Sequence, residues 1–332
     1  MSSIDVTQVS ELVDNTGYPV MMEMYEQRDL VYPLLGEILD PSDLASPEYG
    51  TKGSVIEGPE PFKRREDGQQ VEASTLETAY TWYMACEQYS RSMIVPSRLR
   101  RSADNLGKIA NMIGEAARGW GEVARLQKED FIADIFQKGT LSAGSAEFFD
   151  GSFPGNADPY PKFIYDGLSF FNTAHTLSAS GTTLANHVVS SALTAANLQT
   201  ALIAMTNTNA VNERGERVVV RPTHLMVPPA LEYTARTILE SSLLPGSANN
   251  DANVVQSAGL QLLVNPALDD AASSAAWWLV TQRRSLKIAD SGAPQISLKE
   301  RENGDIVVVA EYLFGAAVDN WRYSYCANKA AS

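Results

Sequence analysis

Residues able to carry cofactor or redox chemistry are scarce in this chain. Only two cysteines (Cys86, Cys326) and three histidines (His175, His187, His224) occur in 332 residues. The cysteines lie far apart in no metal-ligand spacing, which excludes a disulfide framework and predicts two buried thiols behaving as small hydrophobes. His175 and His187 are separated by a Ser/Thr/Gly-rich stretch that makes no ligand pattern on a helix, so structural roles are expected for the histidines. No H-E-x-x-H, C-x-x-C or G-x-G-x-x-G motif occurs, nor a G-x-S-x-G elbow. Gly114 and Gly119 have P-loop spacing, but Trp120 stands where the lysine should be. The acidic pair Asp269-Asp270 precedes Ala-Ala-Ser-Ser and reads as a solvated loop. No catalytic residue, metal site or cofactor is therefore expected. An enzyme with scattered catalytic residues is the class these absences leave open.

Long apolar runs are missing as well: none approaches the 18 residues that would suggest a membrane span. The first 27 residues carry no Lys or Arg and no apolar core, so no signal peptide is expected. A reducing, aqueous compartment follows as the expectation. Basic charge is in short supply, with 26 Lys and Arg against 40 Asp and Glu and a net charge of −14. That balance argues against a general nucleic-acid binder, which needs a basic field. The plainest use of such acidity is solubility.

The acidity is concentrated. Residues 1–50 hold ten acids and one base, Arg28. Prolines at 19, 33, 41, 47 and 59 and glycines at 17, 36, 50, 53 and 58 break this region into short apolar pieces. Such pieces cannot bury themselves locally, which predicts an extended arm over residues 1–59 lying on other surfaces. No long coiled-coil segment occurs before residue 50. Residues 60–75 follow as a hairpin turning at Asp67-Gly68, where positive φ is needed. Its arms are polar on both faces, and Lys63, Arg64 and Arg65 make one of them basic. A hairpin without an apolar face does not pack on its own core; it projects into solvent or onto a neighbour.

Hydrophobic residues make up 44% of the chain, enough for sizeable cores. Aromatic and β-branched residues over 78–99 predict strand and turn, followed by the bases Arg98, Arg100 and Arg101. Residues 102–138 show the strongest periodicity: Leu106, Ile109, Ile113, Ala116, Trp120 and Val123 recur at helical spacing. Ser102 or Asp104 is the expected cap and Gly139 the stop. One continuous helix there would be roughly 55 Å long. A second helix is expected over 194–208 from Thr194, and a third from Pro228-Pro229 to about Ser241. Strands are expected at Val218–Val220, Leu225–Val227, Leu262–Val264, Trp277–Val280, Ile306–Val309 and Trp321–Tyr325. Mixed, non-alternating elements place the chain in the α+β class.

Specific segments carry a family resemblance. Phe171-Asn172-Thr173-Ala174-His175, Gly181 to Asn186, the helix Leu193–Met205, and Arg221-Pro222-Thr223-His224-Leu225-Met226-Val227-Pro228-Pro229 with its following helix resemble tailed-phage major capsid proteins, above all the Mu-like major head subunit group. Asp319-Asn320-Trp321-Arg322 resembles the family's ending. The resemblance implies the Hong Kong 97-type fold. On this sequence that gives an arm over 1–59, an extended hairpin loop over 60–75 and a peripheral-domain strand region over 76–101. A spine helix follows over 102–139 and the peripheral domain over 140–192. The axial domain takes 193–300, and C-terminal strands return to both sheets over 301–332.

It further implies a structural subunit forming hexamers and pentamers of an icosahedral shell around double-stranded DNA. The implied partners are further copies of itself and a portal, with scaffold or decoration proteins left open; assembly in the host cytoplasm and residence in the virion are implied too. Candidate subunit-interface residues are Lys63, Arg64, Arg65, Asp67, Gly68, Arg98, Arg100 and Arg101. The alternative within the same fold is an encapsulin-like nanocompartment shell. Such shells are expected to begin with a cargo-docking helix, whereas residues 1–60 here read as proline-broken. Covalent cross-linking through Lys52 or Lys63 to Asn320 or Asn328 is not expected, because nothing in the local sequence singles them out.

Overall fold

The computed structural model describes residues 4–26, 30–41, 51–56, 64, 67, 78–84, 86–141, 168–177, 180–243, 252–268 and 275–330. The chain begins with two helices, α1 (Val6–Leu12) and α2 (Tyr18–Glu26), joined by a π-turn at Val13–Gly17. Asp5 and Gln8 form a capping box at the start of α1. A short α3 (Tyr32–Leu35) leads into β1 (Gly36–Leu39). β2 (Thr51–Ile56) and β3 (Thr78–Met84) pair antiparallel. β4 (Glu87–Val95) and α4 (Ser97–Arg100) follow. A 3₁₀ turn at Ala103–Asn105 then opens the 32-residue α5 (Leu106–Gln137), about 48 Å long at the standard rise.

Three short strands come next: β5 (His175–Thr176), β6 (Thr183–Leu184) and β7 (His187–Val188). α6 (Ala195–Ile203) is capped by Thr194, and β8 (His224–Val227) feeds α7 (Glu232–Glu240) through a 3₁₀ turn at Pro229–Leu231. The chain closes with β9 (Gln261–Val264), β10 (Trp277–Val280), β11 (Leu286–Asp290), β12 (Gln295–Glu300), β13 (Ile306–Val318) and β14 (Ser324–Ala327).

Two sheets organise these elements. In the first, the long β13 is central, with β4 antiparallel on one side and β12 then β11 along the other; β1 adds parallel to β11. The second runs β7-β14-β10-β8-β9. Its central strands are apolar on both faces, and the period-2 alternation sorts their side chains. Met226, Trp278, Val280 and Cys326 face a core shared with the C-terminal half of α5 and the first sheet. Leu225, Val227, Trp277, Leu279, Tyr325 and Ala327 face a second core under α6 and α7.

Several expectations need correction. β11 and β12 were not anticipated, and they pair with β13 in the first sheet, although 193–300 was expected to form one body with the second. Val218–Val220 is not a strand, and Trp321–Tyr323 is a 3₁₀ turn ahead of β14. β2 lies inside the stretch assigned to the arm, so the hairpin stem begins at Thr51 rather than at residue 60. Neither Ser102 nor Asp104 caps α5; the 3₁₀ turn intervenes, and Asn105 is the capping position without a side-chain bond. Both cysteines are buried and free, as expected.

Candidate functional site

The largest departure from expectation lies at the N-terminus. Residues 6–26 are helical and pack on their own subunit's α5, not as an extended arm on other surfaces. Val9, Val13, Met21 and Tyr25 are buried, while the acids Asp5, Glu11, Asp14, Glu23 and Glu26 are all exposed. The buried positions recur every four residues, wider than the 3.6 of an α-helix, and the π-turn's looser winding returns Met21 and Tyr25 to the face of Val9 and Val13. At Gly121 the two helices leave no room for a side chain: an added Cβ would run into the Met21 carbonyl oxygen.

A buried polar cluster fastens the same seam. Lys128 is fully buried and donates to Tyr25 Oη at 2.9 Å, Asp290 Oδ1 at 2.5 Å and the Gly292 carbonyl at 2.6 Å. Its ammonium also lies over the rings of Tyr25, Tyr312 and Phe314, 5.0, 4.8 and 5.5 Å from their centroids. Tyr32 donates to the other oxygen of Asp290, and burial together with that carboxylate holds the Tyr32 phenol far above its ordinary range. One cation thus ties α2, α5 and β11 together with every donor satisfied. One residue on, Glu129 Oε1 accepts the backbone N–H groups of Val31 and Tyr32 at 2.5 and 3.4 Å. A second buried pair, Arg322 with Glu213 at 2.7 Å, anchors the turn before β14 to the loop after α6.

The candidate interface residues divide. Arg98 and Arg101 are exposed. Arg100 is committed inside its own subunit: its Nε donates to the Ile4 carbonyl at 3.1 Å, and its Nη1 to the Gly304 carbonyl at 2.5 Å and Glu300 at 3.2 Å. Ile4 answers with a backbone N–H to the Arg100 carbonyl at 2.8 Å. Arg100 therefore positions the N-terminus rather than awaiting a neighbour. Reversing Arg98 and Arg101 to Glu is expected to leave the subunit's denaturant midpoint unchanged, while Arg100→Glu lowers it; equal midpoints for all three would contradict this. Arg64 and Asp67 are exposed, with Asp67 in a turn. Lys63, Arg65 and Gly68, and most of the hairpin tip, lie outside the described residues, as does Asp269-Asp270.

Each histidine has a structural partner. His175 stacks on Trp321 at 4.6 Å and meets Asn186 Oδ1 at 3.1 Å. His187 Nε2 bonds the Lys329 carbonyl and His224 Nδ1 bonds Thr223 Oγ1, both at 2.8 Å. Among the described residues no group of three or more His, Cys, Asp or Glu is arranged to hold a metal ion, and no helix is long and apolar enough to cross a membrane. The sequence reasoning missed Lys128, Glu129, Asp290, Glu213 and the structural role of Arg322. One signal was available: Lys128 lies four residues from both Ala124 and Ile132, on the apolar stripe of α5.

A long helix against one sheet, a second mixed sheet and an extended hairpin stem make up the architecture that comparison places. A model of the phage capsid protein family matches residues 99–327, from α4 to the end of β14. The chain belongs to the phage capsid protein family. Among solved structures, the capsid of the cyanophage P-SCSP1u covers 92% of this chain and 89% of its own at 10% identity, with a TM-score of 0.50. The procapsid of bacteriophage JBD30 covers 99% and 77% at 13% identity and a TM-score of 0.43, and the virus-like particle from Pyrococcus furiosus 93% and 97% at 10% and 0.46. No curated protein matches the sequence. This capsid protein is α+β with the Hong Kong 97-like architecture, and its role is structural, as a major capsid protein of the phage head.

In the capsid protein both asparagines considered for cross-linking are occupied. Asn320 Oδ1 accepts the Arg322 backbone N–H at 3.0 Å; Asn328 accepts from Ser191 and donates to Ala275, at 3.2 and 2.9 Å. Particles boiled in denaturant should therefore run as a single band near 36.1 kDa. A ladder of multimers would overturn this.

Proposed function

We propose that this capsid protein forms hexamers and pentamers that tile an icosahedral shell around double-stranded DNA. Its work is association rather than catalysis. It would assemble in the host cytoplasm with a portal and with scaffold or decoration proteins, and stay in the virion. The family match over residues 99–327 carries the proposal. The first sheet with α5 would form the peripheral domain, and the second sheet with α6 and α7 the axial domain. The hairpin growing from β2 and β3 would reach a neighbouring subunit, with the bases Lys63, Arg64 and Arg65 beside the Asp67-Gly68 turn. The exposed acids of α1 and α2 and the exposed Arg98 and Arg101 supply surfaces of opposite sign for such contacts. Each exposed pair would contribute at most about 1 kcal/mol, but it repeats at every subunit and steers encounter.

Expressed alone and imaged by negative stain, the protein should give large closed particles. A discrete small oligomer that persists when a scaffold protein is co-expressed would overturn the proposal. Assembly is expected to weaken with rising salt and in the Arg98→Glu, Arg101→Glu variant; normal assembly of that variant at low salt would remove these two residues from the interface. The helical N-terminus cancels the sequence argument against a nanocompartment shell, since residues 6–26 form helices where a proline-broken segment was expected. The family match favours the phage head instead. Particles from infected cells carrying nucleic acid support the head, and particles carrying a protein cargo support the compartment.

A further inference from the structure

The contact between Glu129 and the segment before β1 is built differently from its neighbour at Lys128. Lys128 has acceptors for its whole ammonium. Glu129 uses a single oxygen, Oε1, for two backbone N–H groups, and its Oε2 is buried without a partner. Among the described residues the cation facing it is Arg125, a turn earlier on α5, and its Nε is likewise buried and unpartnered. Asp130 adds like charge from the same helix. The segment packed against the carboxyl, Leu30 to Leu35, contains no charged residue, and its phenol, Tyr32, is turned to Asp290. Glu26 at the end of α2 is exposed, and Arg28 and Asp29 lie outside the described residues. Arg283, in the turn between β10 and β11, meets the segment through its backbone N–H on the Leu34 carbonyl at 2.9 Å.

We propose that Glu129 is a proton-operated latch on the N-terminal segment: with its carboxyl protonated, residues 30–35 are held on α5, and ionisation loosens them. A neutral carboxyl still offers Oε1 to both N–H groups and buries no net charge. The ionised form must keep its charge in a pocket where Arg125 does not reach Oε2. Burial is the largest influence and pushes the carboxyl up to about 7, against opposing pulls from the Val31 and Tyr32 N–H groups and Arg125.

The sign follows from linkage. The docked state has the higher proton affinity, so the latch holds fully below about pH 4.5, the value of the released carboxyl, and weakens as pH rises through about 7. Between pH 5 and pH 8 the docking equilibrium is expected to shift on the order of 100-fold. Loosening would free α3 from the spine while Lys128 still grips Tyr25, so release begins next to β1 and not at α1.

Hydrogen exchange of the Val31 and Tyr32 amides in the full-length protein, corrected for the intrinsic pH dependence of exchange, reads this directly. Wild-type protection should fall on the order of 100-fold from pH 5 to pH 8. Glu129→Gln keeps the Oε1 acceptor and cannot ionise, so its protection should stay level across the range; Glu129→Ala should be poorly protected throughout. A flat wild-type profile overturns the latch. So does a Glu129→Gln profile falling as steeply as wild type, which would assign the titration to Asp130 or another group.

Discussion

Lys128→Ala should be among the most damaging single substitutions in the subunit, costing about 3–5 kcal/mol, because it leaves the carboxylate of Asp290 buried without its cation. The side chains involved are 0% and 6% exposed. Asp290→Ala should cost a similar amount for the mirror-image reason. The pair is not thereby a large net source of stability. Two desolvated charges roughly balance their mutual attraction, and apolar replacement of both is often neutral. Lys128→Met combined with Asp290→Leu should therefore recover most of what either single loss removes. Chemical denaturation of disassembled subunits measures all four proteins, and single variants within about 1 kcal/mol of wild type would refute the lock.

Two glycines two residues apart on α5, Gly119 and Gly121, should respond in opposite directions. At Gly119 an added methyl meets nothing within 4 Å, so Gly119→Ala should stabilise through helix propensity alone, by up to about 1 kcal/mol. At Gly121 the same methyl would run into the Met21 backbone. A carbonyl in a helix cannot step aside as a flexible side chain can, so α2 must lift. Overpacking of this kind costs about 1–3 kcal/mol, and α2 should become cleavable at Met21 to Tyr25 by a protease that spares the wild type. Midpoints moving in the same direction for both variants would show that α2 is not seated at Gly121.

A glycine on the other side of this seam explains why the N-terminus was misjudged. Gly17 and Pro19 read as breaks, and the apolar residues around them as pieces without a partner. In the folded subunit the breaks are the means of docking. An added Cβ at Gly17 would stand 2.8 Å from Ile113 Cγ2, so the glycine admits α5, and the π-turn precedes a proline that has no N–H to give. The four-residue spacing of Val9, Val13, Met21 and Tyr25 was present in the sequence; the helix it would face was not evident from within that segment. β11 and β12 were overlooked for a related reason. Lys287, Asp290 and Lys299 interrupt their apolar pattern, and one of these is the buried partner of Lys128.

By itself the sequence determined the α+β class, the long helix, the apolar strands β8, β10 and β13, the buried free thiols and the resemblance to phage capsid proteins. These rest on local periodicity and short motifs, which need only neighbours in the chain. Tertiary structure alone decided that the N-terminal region folds back on α5 of its own subunit, that Arg100 is spent within the subunit, and that Lys128 and Glu129 hold that region by two different chemistries. Those contacts join residues roughly 100 to 160 positions apart. A lysine on an apolar stripe or a glycine in a helix acquires its meaning only from what the fold sets against it, because burial and close approach belong to pairs of surfaces and not to a residue.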